Sequence, residues 1–91
     1  MRVGEKYYIM AHAYHHVCGE VAELLGPRSV VLKDAVLVHS CGRSWSEFFR
    51  DGFKDDTQYD PIPDGAEVTG TFLAVPFAHP VPQTGGRRRG R

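Results

Sequence analysis

The chain has 91 residues, with eleven basic and eleven acidic side chains, so it is one small domain whose folded core buries only about 60–65% of the surface its unfolded form exposes. Four of the basic residues are Arg87, Arg88, Arg89 and Arg91, which leaves residues 1–86 at a net −4; a mildly acidic body argues against a dedicated nucleic-acid-binding domain. No apolar run approaches the roughly 20 residues of a membrane span, Glu5, Lys6 and His12 interrupt any signal-peptide pattern, and two cysteines make no secreted disulfide framework, which together predict a cytoplasmic protein.

Lys6 to Tyr14 (KYYIMAHAY) is aromatic and apolar without Gly or Pro and predicts a strand after Gly4. Val17 to Leu25 does not separate into odd and even faces, as expected of a strand bending round a small barrel. Gly19 would allow the bend or a close backbone approach. The good helix formers in GEVAELL make helix the competing assignment there, and Gly26-Pro27 ends the segment either way. Ser29 to Val38 is β-branched, and Lys33-Asp34 reads as a tight turn or bulge between two short strands. Ser44 and Glu47 form a capping box for a short helix over 44–50, with Trp45, Phe48 and Phe49 facing the barrel and Gly52 as its stop. Residues 53–66 read as a loop and Val68 to Phe77 as the closing strand.

Four or five short strands with one helix before the last predict a mainly β fold, a small antiparallel barrel of the SH3 or Sm-like kind over 1–79. A flexible Pro/Gly/Arg tail is expected over 80–91. Barrels of this size associate through edge strands, so a homo-oligomer is expected.

Two His-x-Cys dyads, His16/Cys18 and His39/Cys41, place an imidazole and a thiol on one face of a strand. Side by side they would give a Cys₂His₂ set for a structural zinc, which would help to stabilise so small a domain. The plainer expectation is two cysteines packed in the core with histidines at strand ends. His12, His15 and His16 cluster around Tyr14, but no nucleophile or acid stands at a spacing that carries a mechanism. Asp55, Asp56, Asp60 and Asp64 lack the order of a calcium loop and read as solvated. Arg87, Arg88, Arg89 and Arg91 would give weak, salt-sensitive contact with nucleic acid. Tyr7, Tyr8, Tyr14 and Tyr59 suit base stacking, although such residues are more often core.

Residues 3–82 resemble a family of small uncharacterised proteins encoded by tailed phages and prophages. The resemblance is carried by VGEKYYI, YHHVCGEV, VVLKDAVLV, the CGR corner, SEFFRDG and LAVPFAHPVP. It implies a phage setting and a shared role for Tyr14, His15, Asp34, Gly42, Arg43, His79 and Pro80. Cys18, His39 and Cys41 depart from the family pattern, which weakens the zinc reading, and the Arg-rich end lies outside it. Arg43 after a glycine corner suits a bidentate anion contact, with pairing to Asp34 as its structural alternative.

The sequence thus points to a phage-associated, non-enzymatic binding protein. It would sequester a nucleotide-type or other phosphate-bearing ligand, or block host defence machinery, with Tyr14, His15, Arg43 and His79 lining the site. One alternative is a virion or assembly protein whose Arg tail touches nucleic acid or a neighbouring subunit. The other is a metal-dependent enzyme built on the His/Cys cluster.

Overall fold

A computed structural model describes residues 1–11 and 15–82. Its elements in chain order are β1 (Lys6–Ala11), β2 (His15–Gly26), β3 (Ser29–Ser40), α1 (Trp45–Asp51), β4 (Gln58–Ile62), β5 (Ala66–Thr69) and β6 (Thr71–Pro76). The fold is mainly β with one short helix, and all strand pairings are antiparallel. Hydrogen-bonded neighbours run β4-β3-β2-β1-β6, while β5 takes the first part of β3. Among the described residues the ladder does not close on itself.

Several expectations are corrected. The helix precedes β4, not the last strand, and three strands follow it. The segment expected to be a loop over 53–66 contains β4, because Tyr59 inserts into the core and pulls its backbone onto β3. The closing strand is two strands, broken at Gly70, where φ is +71°. Val17 to Leu25, by contrast, is strand throughout, as expected, and the competing helix assignment falls. The segment from Pro80 stays on the body for two more residues, since Val81 is buried against Phe48 and Phe77 in one core cluster; the remaining tail, with Arg87, Arg88, Arg89 and Arg91, lies outside the described residues.

A bulge explains why the sequence pattern of the central strands is blurred. Cys18 pairs with Val36 and Glu20 with Lys33, so Asp34 and Ala35 together face the single residue Gly19. Asp34 adopts φ +51°, a left-handed conformation that Asp tolerates better than most residues, and its N–H donates to Asp64 Oδ1 at 2.9 Å. β3 therefore runs unbroken through the predicted turn. The extra residue flips the side-chain parity. Before it, Val30 and Leu32 join Tyr7, Ile9, Ala11, Val17 and Val21 in one core; after it, Ala35 takes that side and Val36 and Val38 turn to the other.

The second core lies on the opposite face. It gathers Tyr8, Cys18, Val36, Val38 and Tyr59 from the strands, then Cys41, Phe48, Phe77 and Val81 from the chain that covers them. The central strands are thus buried on both sides, which lets a short chain build two apolar layers.

Candidate functional site

The chemistry-bearing residues concentrate where α1 crosses the second core. Ser44 caps the helix as expected: its Oγ accepts from Glu47 N at 3.2 Å and Glu47 Oε1 accepts from Ser44 N at 3.3 Å. Phe48 points inward and is fully buried, while Trp45 and Phe49 flank it, half-buried. Trp45 lies over β2 and stacks on the His16 imidazole, with centroids 4.2 Å apart and planes 24° from parallel. His16 stacks in turn against Tyr8 at 5.8 Å and 23°, and Phe49 closes edge-on to Tyr8 at 4.8 Å.

The rungs of this ladder are tied together by a hydrogen bond. Tyr8 Oη and His16 Nδ1 are hydrogen-bonded at 2.5 Å. Burial, then the neighbouring Cys18 and Cys41, push the Tyr8 phenol up to about 12. Burial, then the charge of His15, lower the His16 pKa. Folding therefore favours neutral His16, and protons bind the unfolded chain more readily. Stability should fall as pH drops below about 6.5 and level off once the folded protein also binds the proton. Urea midpoints on either side of that pH should show the loss, and His16→Phe should reduce it.

Arg43 and His79, predicted as ligand contacts, are braces. Arg43 Nη1 donates to Cys41 O at 2.9 Å and to Asp56 Oδ1 at 2.6 Å, and Nη2 donates to Gly52 O. Its partner is Asp56, not Asp34. Gly42 before it has φ +78°, and a Cβ there would come within 2.6 Å of Asp56, so the corner and loop are locked face to face. His79 Nε2 donates to Phe49 O at 2.9 Å, satisfying a carbonyl at the helix end, and its ring lies against Gly52. The two residues do meet, at Gly52, but their donors are directed into the protein. His15 begins β2, exposed, on the face opposite His16. Tyr14 lies outside the described residues.

The His-x-Cys set is not assembled. His16 and Cys18 share the second core's face, and Cys41 packs in that core with its thiol donating to Arg43 O at 2.7 Å. His39, adjacent to the inward-pointing Val38, projects to the other face of β3 and pairs with Asp60 at 2.6 Å. Among the described residues no group of three or more His, Cys, Asp or Glu converges on a metal position, so these four do not fit a zinc. Burial also pushes the Cys18 thiol far up, which disfavours the thiolate that a metal or a nucleophilic role requires.

Beyond the other end of α1 lies a cavity of about 230 Å³, walled by Phe53, Thr57, Tyr59 and Pro82, with Lys54 and Asp55 at its rim. Thr57 Oγ1 holds its floor, donating to Cys41 O at 3.4 Å and accepting from Lys54 N at 3.3 Å. The sequence hinted at stacking by Tyr8 and Tyr59, yet both are core residues. Trp45 over His16 was not legible, because the pairing joins residues 29 apart in sequence. Comparison with protein-family models, curated proteins and solved structures gives no match to this chain.

Proposed function

We propose that this chain is a small non-enzymatic binding protein of phage type, acting in the host cell, that sequesters a nucleotide-type ligand by stacking its base beside Trp45 and His16. The observation that carries this reading is the Trp45–His16 stack itself: two flat rings, parallel within 24° and half-buried, held in place by the Tyr8 hydroxyl from behind. A preformed flat surface suits any base, and stacking contributes about 1–3 kcal/mol per base. Tyr8 and Cys18 both hold their protons tightly, which favours binding over nucleophilic chemistry. We read the fold as a small barrel of the SH3 or Sm-like kind because β5 and β6, separated only by Gly70, pair with β3 and β1 respectively and so reach both sides of the β3-β2-β1 ribbon.

Trp45→Ala should weaken nucleotide binding about tenfold, the loss of roughly 1.4 kcal/mol of stacking. Trp45→Phe, which keeps an aromatic in the core, should retain most of it. Calorimetric titration with a panel of mono-, di- and cyclic nucleotides measures both. Unchanged affinity in a folded Trp45→Ala protein would place the ligand elsewhere.

A further inference from the structure

The stacking surface continues beyond His16. Residues paired across antiparallel strands point to one face of the sheet, so the registers identify its neighbours. His16 pairs with Val38 of β3 and Met10 of β1, and Met10 pairs with Leu73 of β6. Val38 belongs to the second core, and Met10 packs half-buried against it, as Trp45 does. Val75, two residues along β6 from Leu73 and so on the same face, packs there too. Leu73 ends the row and is 43% exposed. The other large apolar side chains left exposed among the described residues are Met1, Val3, Leu24 and Leu25. The first two precede β1 and the last two lie at the end of β2, so Leu73 is the one that borders the stack.

The row changes character along its length. Trp45 over His16 presents flat rings, while Met10 and Leu73 present uncharged aliphatic surface. Leu73 stands two strand spacings from His16, roughly 10 Å, beyond the edge of a base centred on the imidazole. A bare base therefore leaves Leu73 in water, and covering it is favourable in proportion to the apolar area removed. Met10, unbranched and adaptable, suits an aliphatic neighbour of irregular shape.

We propose that the ligand of this surface is a nucleotide whose base carries an aliphatic substituent. The ring stacks beside Trp45 and His16, and the substituent lies over Met10 and Leu73. This rests on the stacking reading and narrows it to a ligand class. A substituent on the exocyclic nitrogen of adenine leaves the ring at the end away from the ribose. The phosphate then need not cross the apolar row.

The test titrates the full-length protein with three probes, read by calorimetry. They are adenosine monophosphate, the same nucleotide bearing a prenyl group on its exocyclic nitrogen, and the dinucleotide ApA. The prenylated nucleotide should bind about tenfold more tightly than the plain one. In Leu73→Asp, an exposed site where the fold tolerates charge, that advantage should vanish and the two should bind alike. Leu25→Asp, at the end of β2, should keep it. Equal affinity of the two nucleotides for the wild type would overturn the inference and leave the stacking reading standing. No binding of any of the three would overturn both. Tighter binding of ApA without any gain from the prenyl group would overturn the aliphatic assignment in favour of a second base.

Discussion

Arg43→Ala should lower the unfolding free energy by about 2–4 kcal/mol, the largest loss expected from any single polar side chain in the fold. The guanidinium is only 12% exposed and serves three acceptors on three segments: Cys41 at the end of β3, Gly52 after α1, and Asp56 in the following loop. Hydrogen bonds to charged groups contribute roughly 1.5–3 kcal/mol each where partly buried, and removing the donor strands the carbonyls. Arg43→Lys should recover less than half, because a point charge cannot span that fork. Asp56→Asn should cost under about 1 kcal/mol, since Asp56 is half exposed. Denaturant unfolding of the three variants checks the account. If Arg43→Ala and Asp56→Asn prove equally mild, the residue is a surface ion pair and not a brace.

Gly19→Ala should cost about 3 kcal/mol or more, for steric reasons alone. A Cβ at this position would lie 2.4 Å from Ala35 Cβ and 2.8 Å from Ala35 Cα, inside the bulge where β3 carries the extra residue. Overpacking of a tight core costs typically about 1–3 kcal/mol, and more where backbone must move. Adding Ala35→Gly should restore part of the loss, because the contact with Cα remains. Gly26→Ala is the control, with no atom within 4 Å of its would-be Cβ, and should change stability by less than about 0.5 kcal/mol. Thermal unfolding of the three single variants and the Gly19/Ala35 pair would reveal whether the close approach governs the sheet.

These two positions also show how far the sequence could be read. Gly19 was legible as a close backbone approach and Lys33-Asp34 as an irregularity, because glycine in a strand and a charged pair inside a β-branched run are local signals. The parity flip was not legible, since it depends on which residue opposite absorbs the extra one. The helix with its Ser44–Glu47 box was readable for the same local reason. β4 was missed because Asp60, Pro61 and Pro63 dominate the composition of its segment, while Tyr59 supplies the burial that makes it a strand. Among site residues, Arg43 and His79 donate to Gly52 O and Phe49 O, backbone atoms that side-chain patterns do not reveal. The His-x-Cys dyads look symmetric in sequence. The register places His39 on the opposite face and removes it from the set.

Trp45 is the only tryptophan in the chain, so its fluorescence reports on the proposed stacking surface without labelling. Titrating the full-length protein with nucleotides, with His16→Ala as the comparison, tests the functional reading most directly. Saturable quenching of Trp45 emission by at least one nucleotide, weakened about tenfold in His16→Ala, is the predicted result. Emission that no nucleotide changes, in a protein shown to be folded, would contradict it.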